Sequence, residues 1–262
     1  MPTEAAPRGR HLFVFAHPDD EFACLEQLRR SVAEGHEIAC VYLTDGAYGG
    51  QPVEPRIEES KRALARQGVA AQSLHFIGAE AGIPDGGLPS RMRTGYELLG
   101  GLLSRLGPVS ACFVTAWEGG HQDHDACHAI LLALRHNGRI DAPVWQFPLY
   151  NGEGLPGPLF RVMSPLPSNG PTTWQPISLA HRLLDLRTCM GYPSQWRTWL
   201  GLLPFVAFRL LLQGSYALQV ATEEALERRP HQGKLLYERR SATTWEQIHQ
   251  GYLELLQVER PD

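Results

Sequence analysis

The chain has 262 residues but only two lysines, Lys61 and Lys234, so arginine carries nearly all of its positive charge. With 24 basic against 28 acidic residues the net charge is −4, and no basic footprint exists for a nucleic-acid backbone. The five cysteines (Cys24, Cys40, Cys112, Cys127, Cys189) are odd in number and never form a CxxC pair. Neither a zinc–thiolate site nor a disulfide framework is therefore suggested, and small buried thiols in a reducing cytoplasm are the favoured reading. The polar start, MPTEAAPRGR, precedes too short an apolar run to be a signal peptide. No apolar stretch reaches the ~18 residues of a membrane span; the nearest, Trp199 to Leu212, is interrupted by Pro204 and Arg209. Internal repeats and low-complexity tracts are also missing.

Over the first 150 residues, short apolar runs alternate with helix-period segments. HLFVFA (11–16), EIACVYL (37–43), SLHFIG (73–78), ACFVTAW (111–117) and PVWQFPLY (143–150) read as strands. Between them, helices are expected from about Asp20 to Glu34 and over 56–69, 93–107 and 124–138. This alternation predicts an α/β, Rossmann-like fold: a mostly parallel sheet with helices on both faces, reached by right-handed crossovers. A single domain is expected, with a core over 10–150 and a loop-rich, helical C-terminal extension over 151–262. Within that extension, 151–178 reads as a long ordered loop, 177–189 as a helix and the tail from 215 as mixed. The apolar stretch 199–212 reads first as core packing. Its alternative is an exposed flap touching a bilayer or a lipid-linked ligand, a peripheral membrane contact.

Two clusters carry chemistry. FAHPDDEF (15–22) follows the first strand, and EGGHQDHDACH (118–128) follows the fourth. Ligands bind beyond the carboxyl ends of strands in such sheets. Either cluster alone reads equally well as capping and surface groups. Placed at matching strand ends they can converge, and a divalent cation would then neutralise the adjacent acids Asp19, Asp20 and Glu21. Imidazole plus carboxylate without thiolate suits zinc and also accommodates iron, manganese or cobalt. Such an ion lowers the pKa of bound water from 15.7 towards ~7. Glu21 reads as a dipole partner or an acceptor behind a metal ligand, His128, one turn after His124, as helix packing or support behind a ligand, and Asp125 as solvent-facing.

AHPDDE after the first strand and GGHQDHDACH about a hundred residues later resemble the PIG-L/LmbE-like family of metal-dependent de-N-acetylases. LTDG (43–46), the Arg56-x-x-Glu59 helix, IPDGGL (83–88) and YPSQ (192–195) are similar to further family elements. The resemblance covers residues 10 to 150 well and the remainder loosely. It implies a Rossmann-like fold, with His17, Asp20 and His124 as metal ligands and Asp19 as general base. His121 would stabilise the oxyanion as an imidazolium oriented by Asp123, and Arg56 and Asp85 would bind sugar hydroxyls, with Asp123 counted among the substrate-side groups. The implied reaction removes an acetyl group from an N-acetylglucosamine-type glycoconjugate, a sugar or a glycolipid. The chain departs from the family at Gln122, where proline is usual and whose loss should loosen the turn, and at Ala47, where many members carry an acid. Two other readings stand beside it: a metal-dependent hydrolase of another amide or ester, and a non-catalytic sugar-binding module of the same fold. A homo-oligomer is compatible with the composition.

Overall fold

The computed structural model describes residues 8–258. Its strands are β1 (Arg10–Phe15), β2 (Glu37–Tyr42), β3 (Leu74–His75), β4 (Ala111–Thr115), β5 (Val144–Phe147), β6 (Tyr150–Asn151), β7 (Arg161–Val162), β8 (Thr172–Pro176) and β9 (Ser215–Val220). The helices are α1 (Leu25–Ala33), α2 (Val53–Ala65), α3 (Ile77–Glu80), α4 (Met92–Leu106), α5 (Gln122–His136), α6 (Leu179–Cys189), α7 (Trp196–Phe208), α8 (Glu223–Leu226), α9 (Leu236–Arg240) and α10 (Trp245–Leu256).

β1 shows why the sheet is central. Leu12 and Val14 point to one face and Phe13 and Phe15 to the other, and all four are wholly buried, as expected where both faces are covered. Leu12 and Val14 join a core with residues of α4, α5 and α10. Phe13 and Phe15 join a second core with residues of α1, α2, α6 and α7. The main sheet runs β3-β2-β1-β4-β5-β9-β8. Strands β3 to β5 in that order are parallel, whereas β9 pairs antiparallel with both β5 and β8. The chain therefore reverses its direction of winding between β1 and β4, which are hydrogen-bonded neighbours. In an open α/β sheet this is the switch point where a crevice forms.

Several sequence expectations need correction. The third strand shrinks to two residues, because Ile77 begins α3. The first helix is split: Asp20–Ala23 makes a tight 3-10 turn and the α-helix starts only at Leu25. The stretch 151–178 is not one loop. Arg161–Val162 pairs back on Tyr150–Asn151, and Thr172–Pro176 becomes the edge strand of the main sheet. TTWQP has the β-branched and aromatic residues that favour strands, and its proline is tolerated because the strand lies on an edge. The C-terminal part thus completes the sheet. Stretch 199–212 divides between its two readings: Trp199, Leu202, Val206 and Leu210 are buried, while Leu200, Phe205, Phe208 and Leu212 are each more than half exposed. All five cysteines are buried and unpaired, as expected. No helix among the described residues is long and apolar enough to cross a membrane.

Phe13 stacks on Phe113 of β4 with ring centroids 4.7 Å apart, tying together the two strands that carry the clusters. Replacing Phe13 with Ala should cost about 3–5 kcal/mol of stability, as large aromatic deletions in a core do. Urea unfolding followed by circular dichroism measures it.

Candidate metal centre

The first cluster is shaped by its own backbone. β1 ends at Phe15, and Asp20 folds back so that its Oδ2 accepts the N–H groups of Ala16 (3.0 Å) and His17 (2.8 Å). Asp19 between them adopts φ 121°, a region that non-glycine residues enter at a cost and that clusters at functional sites. Its N–H is taken by Glu21 Oε2 at 2.9 Å, and Glu21 also accepts the Tyr192 hydroxyl at 3.0 Å. Glu21 is thus a fully buried brace for the turn.

The second cluster begins at β4 and opens α5. His121 is the N-cap, its Nδ1 accepting the Asp123 N–H at 3.2 Å. Gly120 approaches the Tyr150 carbonyl so closely that any Cβ would collide with it. This explains a glycine directly before His121.

The clusters meet. His124 Nε2 lies 3.0 Å from Asp20 Oδ1, and His17 Nδ1 lies 3.6 Å from Asp20 Oδ2. Ligand atoms of His17, His121 and His124 lie within 4.8 Å of one another, as do those of His17, Asp85, His121 and Asp123. A cavity of about 410 Å³ opens over them, within the usual range for small-molecule sites. Tyr150, Arg197, Leu202 and Arg240 form part of its wall. The donor set fits a divalent cation: imidazoles and carboxylates converge, and the buried Nδ1 of His124 has no hydrogen-bond partner among the described residues.

Three substrate-side residues sit differently from expectation. Asp123 is wholly buried, with Oδ1 accepting the Leu88 N–H and Oδ2 the Gly86 N–H, and Oδ2 is 2.9 Å from His17 Nε2. It has no surface for substrate, and its carboxylate steadies His17 rather than His121, whose Nδ1 is 3.9 Å away. Arg56 is also buried and donates to the carbonyls of Gly46 and Pro18 and to Asp19 Oδ1. It holds the base candidate in place and also lines the cavity, with its buried Nε bound to no partner among the described residues. Asp85 does line the cavity, yet its Oδ1 is 3.4 Å from His17 Nε2 and 3.5 Å from His121 Nε2. Asp85 therefore belongs with the imidazole cluster as much as with the substrate side.

Charge balance follows from this packing. Burial raises the Asp19 carboxyl and Arg56 opposes it, leaving it at about 7. Burial also raises Asp20 and Asp85, but adjacent imidazoles (His124 and His17 for Asp20, His17 and His121 for Asp85) hold both below the usual carboxylate range. For His17 the order is reversed: burial disfavours the charge, and Asp85, Asp20 and Asp123 raise it well above normal. His121 is pushed down to about 4 by burial and by His17. The imidazolium expected there is disfavoured because burial opposes its charge and His17 adds repulsion.

Second-rank motifs turn out to be the frame. Asp45 of LTDG accepts the Asp85 N–H at 3.2 Å and donates its own N–H to Ile83, so the two loops lock together. Glu59 takes the Ser194 N–H at 2.9 Å and its hydroxyl at 2.5 Å, docking the YPSQ element on α2. Gln122 does not loosen its turn. Its Nε2 donates to the Gly86 carbonyl at 2.8 Å and its Oε1 accepts the Ser241 hydroxyl at 2.5 Å. Asp125, expected in solvent, is wholly buried and accepts the N–H groups of Glu118 and Gly119. His128 packs in the core, with Nδ1 2.9 Å from the Thr115 carbonyl.

Two residues went unnoticed in the sequence. Tyr150, at the start of β6, places its ring 5.5 Å from that of His124. Glu118 is fully buried, accepting the N–H groups of Leu149 (2.7 Å) and Tyr150 (2.9 Å) and, at 3.3 Å, the Asn151 amide. An acid directly before GGH at a strand end was the available signal.

Residues 12–134 match the family model described as PIG-L, GlcNAc-PI de-N-acetylase. This part of the chain belongs to the PIG-L family. The fold agrees. A teicoplanin-pathway deacetylase triple mutant superposes with a TM-score of 0.59 at 18% identity, over 81% of this chain and 98% of that one. The N,N′-diacetylchitobiose deacetylase of Pyrococcus horikoshii gives 0.59 at 14% identity, over 86% and 88%. The conserved protein TT1542 of Thermus thermophilus gives 0.57 at 23% identity, over 81% and 94%. At such identities the likeness concerns the fold alone. No curated protein matches the chain by sequence.

Burial pushes the Glu118 carboxyl up to about 7 despite its three donors. A carboxyl raised in the folded state binds more protons there than when unfolded, so stability falls as pH rises from the unfolded value to the folded one. From pH 4.5 to 7 this group should therefore cost stability on the order of 3 kcal/mol. Glu118→Gln should flatten that part of the stability profile, which denaturant titrations at stepped pH would reveal.

Proposed function

We propose that this PIG-L protein hydrolyses the acetamide of an N-acetylated amino sugar of the N-acetylglucosamine type. The observation carrying the proposal is the meeting of His17, Asp20 and His124 across the β1–β4 switch point, with Asp19 beside them at the cavity wall. In this reading His17, Asp20 and His124 hold a divalent cation, for which zinc suits the imidazole–carboxylate donors and iron, manganese or cobalt are alternatives. When bound, the cation supplies Lewis acidity at the acyl oxygen and lowers the pKa of water in the site.

The chain's own residues do the rest. Arg56 engages one carboxylate oxygen of Asp19 and is that carboxylate's only hydrogen-bond partner among the described residues, so the second oxygen is open to a proton from water in the cavity. Asp19 then returns the proton to the departing amine, which is a poor leaving group until protonated. His121, partly exposed at the cavity wall, donates from its ring to the oxygen that becomes negative as the carbonyl turns tetrahedral. In this reading Asp85 accepts from a sugar hydroxyl while balancing the imidazoles, a role its position on the cavity wall supports. Deacetylation is the shared chemistry of the family described for residues 12–134 and of two structures sharing the fold, one of them acting on diacetylchitobiose by its name; the preference for a particular sugar and aglycone belongs to the outer wall of the cavity.

Asp19→Ala should keep its metal and lose acetate release by at least about 10²-fold, the usual scale for an acid–base group. Acetate release from N-acetylated glycans and glycolipids measures this, and equal rates in the two proteins would remove Asp19 from the mechanism. His124→Ala should instead lose metal; elemental analysis showing wild-type content would overturn the ligand assignment.

A further inference from the structure

The apolar surface of this protein is concentrated. Fourteen large apolar side chains are exposed among the described residues, and ten of them fall between Trp174 and Leu212. Trp196, Leu200, Pro204 and Phe208 recur every four residues on α7, which puts them on one face of the helix. All four are exposed. The helix runs into a wider π turn over Arg209–Gln213, which adds the exposed Leu211 and Leu212. α6 packs beside both and contributes the exposed Leu183. So large a clustering of apolar groups marks a surface that meets something.

Charge selects the occupant. Residues 174–213 contain four arginines and a single acid, Asp185. That acid is wholly buried and held by Arg29 and the Tyr216 hydroxyl, so the segment exposes no negative charge in a protein whose net charge is −4. Arg187 and Arg197 are exposed and have no acidic partner among the described residues, and Arg182 donates only to the carbonyls of Ile177 and Leu211. A second copy of this face would bring arginines against arginines with no acid to meet them. Aromatic and aliphatic side chains flanked by arginine, with acids withdrawn, suit the boundary of an anionic bilayer.

We infer that the α6–α7 face docks on the surface of an anionic membrane. Docking would bring the cavity mouth to the lipid, because Arg197 and Leu202 of α7 line the cavity. Ring contacts continue inward from the face: Phe205 to Phe160 at 5.7 Å, Phe160 to Tyr150 at 5.9 Å and Tyr150 to His124 at 5.5 Å. The attachment needs no particular reaction at the metal centre, so binding and hydrolysis fail independently.

Co-sedimentation of the full chain with vesicles tests the inference. The wild type should pellet with phosphatidylglycerol–phosphatidylcholine vesicles at least about tenfold more than with phosphatidylcholine alone, and less as salt is added. Combined Leu200→Glu, Phe208→Glu and Leu212→Glu substitutions should reduce pelleting by about tenfold or more while leaving acetate release from a water-soluble substrate unchanged. Should that variant fail to fold, quenching of wild-type tryptophan fluorescence by brominated anionic lipid gives a reading without mutation. Wild-type protein that stays in the supernatant and unquenched would overturn the inference. So would light scattering that shows a dimer dispersed by the triple substitution, since a second copy would then own the face.

Discussion

The structure depends on one electrostatic constraint: four acids and three imidazoles are packed, largely out of water, at the seam between two parallel strands. None of these groups could be buried alone, because an unpaired charge in a protein interior costs several kcal/mol. Asp20 shows how the cost is met. One oxygen is spent on the backbone that turns out of β1 and the other reaches His124 across the seam. Asp123, in the first turn of α5, takes the amides of the distant loop at Gly86 and Leu88 and steadies His17. Asp20 thus joins its own turn to a distant partner, and Asp123 joins two distant segments to each other. A divalent cation in the middle would complete the same balance.

The surrounding frame keeps that arrangement in register. The LTDG and IPDGGL loops are hydrogen-bonded to each other, α2 supplies Arg56 to Asp19 and Glu59 to the C-terminal YPSQ element, and Glu118 pins the start of β6 beneath the cavity. Most of these groups are buried, and their hydrogen bonds hold the acids and imidazoles of the cluster in position. Away from the imidazoles, Arg197 and Leu202 of α7 and Arg240 of α9 share the cavity wall with Tyr48 and Gln51 of the first half.

Reading the sequence succeeded where a local pattern had one physical meaning. Apolar runs of β1, β2 and β4 are buried on both faces, and both clusters sit at carboxyl ends as periodicity implied. It went astray where the neighbour decided. Asp125 and Asp123 both lie in the first turn of α5, and nothing in QDHDACH says that one caps a loop from its own cluster while the other reaches a loop forty residues earlier. Arg56 looks like a free cation until the turn at Gly46 closes over it. TTWQP looks like loop because its pairing partner lies about forty residues ahead.

By itself the sequence determined the element order, the two ligand clusters and their residue types, since strand and helix periods and the preference of imidazole and carboxylate for a divalent ion are local properties. Only tertiary structure decided which acids face the cavity and which are consumed in holding loops, and that a sheet begun by the first half is finished by the second. The reason is that a side chain's role here depends on what occupies its remaining hydrogen-bond positions, and those partners come from segments that chain order leaves far apart.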